Sequence, residues 1–145
     1  MQGKRKNFTI PIKIIDLYDD GFHPLIEVSI FEKKFTLVLD TGASKTAFDH
    51  SMLLQTIEDL PITGSDRLSS GLGTNSMTSS TANIKEFHIG DLLIEELEVA
   101  VLDLSAINIA YQQFNLEILG VLGGDILMKY KAIINYGKQQ LVLKK

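Results

Sequence analysis

Phe8, Ile10, Ile12 and Ile14 alternate with Thr9, Pro11 and Lys13, and the same period of two returns along most of the chain. Residues spaced this way share one face of a strand, so they are buried by laying short strands against one another rather than by packing long helices. Ile26, Val28 and Ile30 alternate with Glu27 and Ser29, Phe35, Leu37 and Leu39 follow, and Leu97, Val99 and Val101 oppose Glu96, Glu98 and Ala100. Polar or glycine-bearing breaks at Asp19-Asp20-Gly21, Glu32-Lys33-Lys34 and Gly137-Lys138 read as turns, the second of them inside a hairpin. Pro11 lacks an N–H to donate, which makes the leading strand, residues 8–15, an edge strand.

Further strands are expected over 84–89, 92–102, 132–136 and 140–143, with a buried apolar run at 120–122. Helical spacing is confined to short pieces. Asp49 or Ser51 can cap a helix carrying Leu53, Leu54, Ile57 and Leu60 that stops at Pro61. A second helix fits 105–116 with Ile107, Ala110 and Phe114 on one face, and Asp125 can cap a third that runs through Tyr130. Residues 63–83 are rich in Ser, Thr, Gly and Asn, and their patterned flanks make them a mobile surface hairpin rather than a linker. The expected fold is mainly β with one to three short helices. At 145 residues, without an internal repeat, the chain reads as a single domain over 1–145.

Several chemistries lack their residues. There is no cysteine, which excludes disulfide frameworks, thiolate metal sites and cysteine nucleophiles. A formal charge of -4 with no tryptophan offers neither a basic face for nucleic acid nor a stacking platform. His23, His50 and His88 are scattered without ligand spacing, and read as surface or strand-end decoration, so no metal site is expected. Gly71-Leu72-Gly73 lacks the third glycine of a dinucleotide site, and no cofactor is implied. Lys4-Arg5-Lys6 before an apolar stretch imitates a signal peptide. Lys13 interrupts that stretch, however, Asp16 follows at once, and no small-residue cleavage site appears. No apolar run approaches the roughly 18 residues of a membrane span, so the expectation is a soluble, cytoplasmic protein.

One segment carries chemistry. Leu37-Val38-Leu39 runs directly into Asp40-Thr41-Gly42-Ala43-Ser44. The alternation puts Asp40 on the side opposite Leu37 and Leu39, and Gly42 permits a sharp turn that brings backbone N–H groups to the carboxylate. On these residues alone the segment is either a carboxylate held rigidly in a partly dry groove or a turn that merely caps the strand.

The wider order is more specific. Asp40-Thr41-Gly42-Ala43-Ser44, then the polar hairpin 69–82, then Gly120-Val121-Leu122-Gly123-Gly124-Asp125 resembles the retropepsin-like aspartic proteases, in particular their single-domain bacterial relatives. The resemblance covers nearly the whole chain. It implies a closed β-barrel of the acid-protease half-domain type, with a flap hairpin whose tip lies near Gly71, Leu72, Gly73 and Thr74. It also implies that Asp40 is catalytic, supported by Thr41, Gly42 and Ala43, with Thr41 locking two active-site loops across a dimer axis. Val121, Leu122 and Gly123 would pack beside the catalytic loop. The arginine usual after the second glycine of that element is Gly124 here, and the flap lacks both the Gly-Gly pair of viral members and the tyrosine of pepsin-type ones. Asp125, opening a helix, is read as a cap and not as a second catalytic carboxylate.

With a single Asp-Thr-Gly, the second aspartate must come from another copy of the chain. Two carboxylates roughly 3 Å apart share one proton, so the ionised member can activate a water while its partner protonates the scissile carbonyl. The implied function is an aspartic endopeptidase acting on polypeptide as a homodimer. The alternative is a peptide- or protein-binding module that keeps the fold without cleavage. A β-rich structural domain with an incidental motif would leave the flap and the late glycines unexplained.

Overall fold

The period-two segments become fourteen short elements in a computed structural model that describes residues 6–18, 21–56, 62–68 and 78–145. In chain order they are β1 (Asn7–Pro11), β2 (Lys13–Asp16), β3 (Phe22–Ile30), β4 (Lys33–Leu39), β5 (Ala47–Asp49), α1 (His50–Thr56), β6 (Ile62–Leu68), β7 (Thr78–Ile89), β8 (Leu92–Leu102), α2 (Ser105–Gln112), β9 (Ile118–Leu122), α3 (Gly124–Lys129), β10 (Ile133–Asn135) and β11 (Gln140–Lys144). The strands form two sheets. One has three strands in the order β1-β11-β10, and the other has eight in the order β2-β3-β4-β9-β5-β8-β7-β6. An additional β3–β7 pairing, Ser29 with His88 and Ile30 with Phe87, closes β3, β4, β9, β5, β8 and β7 into a barrel.

Closure leaves the apolar alternation only one inside. Val28, Ile30, Leu37, Phe48, Ile84, Phe87, Val99 and Leu122 are all at most 1% exposed and belong to one core cluster. A smaller cluster of Ile15, Leu25, Tyr111 and Ile118 lies under α2.

The structure departs from the sequence reading at definable points. The leading strand is two strands: Ile12 N donates to Gln139 O, and the chain then leaves β11 and pairs Lys13 with Leu25 on β3. Pro11 does lie on an edge strand, since β1 has β11 as its one neighbour. The β3–β4 turn is Phe31-Glu32 rather than 32–34, both residues taking positive φ (50° and 66°), the geometry of a tight two-residue hairpin usually built with Asn and Gly.

In β7 the buried residues change from Ala82 and Ile84 to Phe87 and Ile89, and in β8 from Leu92 and Ile94 to Val99 and Val101. Both strands change faces opposite each other. The Lys85–Glu96 and Phe87–Ile94 pairs flank the step, and Glu86 within it has φ 55°. Leu53 of α1 is buried but Leu54 is 46% exposed, while Ile57, Leu60 and Pro61 lie outside the described residues. The residue of α2 that is buried is Tyr111, not Ile107. Asn108 anchors that helix instead: its Nδ2 donates to Ile118 O at 3.0 Å and its Oδ1 accepts from Ile118 N at 2.7 Å.

Candidate active site

Strand β4 ends at Leu39, but the ladder continues for one bond, with Asp40 N donating to Leu122 O at 3.1 Å. This fixes the phase of the strand. Leu37 and Leu39 are buried in the barrel, and Val38 and Asp40 are half-buried on the other side, as the alternation requires. The chain then turns back: Ala43 N donates to Asp40 O at 3.2 Å, and Gly42 N donates to Asp40 Oδ1 at 3.0 Å. A Cβ on residue 42 would sit 3.3 Å from that oxygen, so glycine lets the backbone N–H come this near to the carboxylate.

A second segment holds this turn. Gly124 N donates to Ala43 O at 2.7 Å and Asp125 N to Ser44 O at 3.1 Å. The approach demands glycines. A Cβ on Gly120 would lie 1.9 Å from Ala47 O, and one on Gly123 would lie 2.6 Å from the Lys45 carbonyl carbon. Beneath the contact sits Thr46, fully buried. Its hydroxyl donates to Asp125 Oδ1 at 2.8 Å and accepts from Gly123 N at 3.0 Å, and its own N–H donates to Asp125 Oδ1 at 3.0 Å.

The cap expected of Asp125 is therefore corrected. Gly123 precedes α3 without a side-chain cap, and Asp125 lies in the first turn, where its Oδ1 also accepts from Ile126 N at 2.9 Å. Its carboxylate clamps two loops and lies favourably at the positive end of the helix. Thr46 was missed in the sequence. The available signal was a hydroxyl residue opening the short apolar run Ala47-Phe48, where an unpaired polar group would be costly.

Thr46→Val is expected to lower stability by about 2–3 kcal/mol, because it removes the donor to Asp125 and leaves the buried Gly123 N–H without an acceptor. Thr46→Ser should recover most of the loss. Denaturant midpoints of the three proteins check this, and equal midpoints for the two variants would show that the hydroxyl has no such part.

The other side of Asp40 opens into a cleft of about 500 Å³. Its walls are mostly apolar: Phe22 and Pro24 from β3, Val38 from β4, Ile107 from α2 and Val121 from β9. His23, read as strand-end decoration, lines this cleft, with Nδ1 hydrogen-bonded to the buried Tyr111 hydroxyl at 2.7 Å. The bond ties β3 to α2, so the helical wall is held at its middle by Asn108 and near its C-terminal end by Tyr111. Lys45, just past the turn, donates to Glu98 Oε1 at 2.7 Å. That hydrogen bond, and then the lysine's charge, hold the Glu98 carboxyl below its ordinary value.

The structure thus brings Asp40, Gly42 and Ala43 together with Val121, Leu122 and Gly123, and leaves Thr41 exposed at the tip of the turn. Gly71, Leu72, Gly73 and Thr74 lie outside the described residues. Among the described residues no three His, Asp or Glu side chains are grouped to hold a metal ion, and no helix is long and apolar enough to cross a membrane.

Comparison with known proteins bears on both family and fold. The profile of a family described as aspartyl protease matches residues 26–126, which contain the whole Asp40 turn and its clamp. The crystal structure of a retropepsin-like aspartic protease from Rickettsia conorii superposes with a TM-score of 0.59, covering 99% of this chain and 94% of that one at 19% identity. At that identity the likeness establishes a shared fold. No curated protein matches the chain.

Proposed function

The chain belongs to the aspartyl protease family and has the retropepsin-like fold, and from that premise we propose that it is an aspartic endopeptidase whose catalytic group is Asp40. One observation carries the reading. Among the residues that line the apolar cleft between β3, β4, β9 and α2, Asp40 is the one carboxylate, and it is oriented by a backbone N–H at the end of a barrel strand. A carboxylate so placed is rigid, partly dry and accessible from one side.

One carboxylate cannot both take a proton from water and give one to a carbonyl oxygen, so the reading requires a second. With a single Asp-Thr-Gly in the sequence, a second copy of the chain supplies it, and a two-fold axis passes between the two Asp40 turns. The exposure of Thr41 and Gly42 supports this, since these are the residues that would face the partner. The pair shares one proton. The ionised member draws a proton from a bound water, which attacks the scissile carbonyl carbon, and the protonated member donates to the carbonyl oxygen as the tetrahedral species forms. Collapse of that species breaks the C–N bond, and the amine leaves with a proton. No metal or organic cofactor enters.

The test is concentration. Sedimentation should find a two-subunit particle at micromolar concentration, and cleavage of denatured casein per subunit should fall on dilution as the dimer dissociates. A fully active monomer would sink the shared-proton mechanism. A stable dimer that binds peptide without cutting it would favour the groove as a recognition surface.

A further inference from the structure

The turn that joins β2 to β3 holds its aromatic side chains outward. Tyr18 is 77% exposed and Phe22 is 69% exposed, among the highest values of any large apolar side chains described. Tyr18 also has φ 59°, a left-handed conformation that a bulky residue rarely takes. Local bonds hold it there: Asp16 Oδ1 accepts from Tyr18 N at 2.8 Å, Leu17 N donates to Gly21 O at 2.9 Å, and Gly21 N donates to Tyr18 O at 3.2 Å. Phe114, in the turn after α2, stacks on the Tyr18 ring with centroids 6.3 Å apart and planes 27° from parallel. Two turns distant in sequence thus join in one ledge of aromatic surface.

The ledge continues the cleft. Leu17 and Phe22 line the cavity that holds Asp40, and Tyr18 follows Leu17 directly. Exposed apolar surface of this kind, held in a strained conformation and contiguous with a groove, is the form a binding surface takes. We propose that Tyr18 and Phe114, continuous with Phe22 in the cleft wall, form an accessory surface that grips the polypeptide substrate beyond the mouth of the cleft, by an apolar or aromatic side chain some residues removed from the scissile bond. The occupant follows from the continuity: an extended chain lying across Asp40 leaves the cleft over Phe22 and Tyr18. The inference rests on the endopeptidase reading, which makes a polypeptide the ligand. It adds that long substrates bind better than short ones, and that the difference resides in these three rings.

The experiment compares two fluorescein-labelled, statine-containing peptides, one short enough to fill only the cleft and one extended at both ends by alanine and phenylalanine. Anisotropy titrations should show the long peptide binding the wild-type protein about tenfold more tightly, the effect of seating one aromatic side chain on an aromatic surface. Tyr18→Ala should remove most of that difference and leave the short peptide's affinity unchanged, and Tyr18→Asp should do so more completely. Equal affinities of the two peptides for the wild type, or no binding of either, overturn the ledge. So does a Tyr18→Ala protein that loses both peptides alike, or one that sediments as a monomer, which would make the ledge an intersubunit surface. A wild-type protein that cleaves no casein yet keeps the length effect would sink the catalytic reading and leave the ledge standing.

Discussion

Asp40→Asn is expected to lower kcat for peptide-bond cleavage by at least about 10³-fold, the scale on which positioned acid–base groups act. The fold should persist, because an asparagine Oδ1 in the same place still accepts from Gly42 N. What the amide lacks is basicity. Dimers that pair one Asp40→Asn subunit with one wild-type subunit should be as inactive as the doubly substituted form, since a single carboxylate cannot hold both protonation states. Mixing tagged wild-type and substituted subunits, isolating the hybrid and measuring its turnover checks this. Half of wild-type activity in the hybrid would mean that each Asp40 works alone, and the shared mechanism would fall.

The second large effect is structural. Gly120 stands in β9 between β4 and β5, paired with Leu37 on one side and Phe48 on the other. A methyl group there would need the space already held by the backbone carbonyl of Ala47, 1.9 Å away. Neither strand can withdraw without opening the barrel. Gly120→Ala should therefore cost about 3 kcal/mol or more, at the upper end for overpacking. Gly124→Ala is the control. Its Cβ would meet Ala43 O at 3.4 Å, ordinary contact, and it should stay within about 1 kcal/mol of wild type in chemical denaturation. Equal effects of the two substitutions would refute the close approach as the cause.

Gly120 also shows what the sequence discloses and what it withholds. The strand phases of β3 and β4, the placement of Asp40 opposite Leu37 and Leu39, and the pairing of the two glycine-bearing loops were all legible. Each follows from alternation or from a recognisable residue order. The features that were not legible depend on partners far along the chain. Nothing local marks Ile12 as the point where the chain changes sheets, because the bond that decides it comes from Gln139. The hairpin turn at Phe31-Glu32 contradicts local preference, and strand pairing imposes it.

Helix α2 misled for a different reason. Apolar periodicity selects Ile107, but the helix is seated by hydrogen bonds of Asn108 and Tyr111, which a hydrophobic pattern does not weigh. At the candidate site, Asp40 was legible and its support was half so. Thr46 went unnoticed because its importance lies in a carboxylate 79 residues away.

That separation bears on how the molecule is made. On the ribosome, the Asp-Thr-Gly turn emerges with β4 while Leu122, Gly123, Gly124 and Asp125 are still unsynthesised. Every bond that shapes the turn from outside waits for them. Closing so long a loop is entropically slow, and it must precede the contacts that reward it. The turn therefore acquires its full support only after β9 and α3 have been translated, and a nascent chain carries Asp40 without the β9 and α2 walls of its cleft. In the proposed enzyme, inactivity during synthesis is then built in. It follows from the order in which the ribosome delivers the two halves of the clamp.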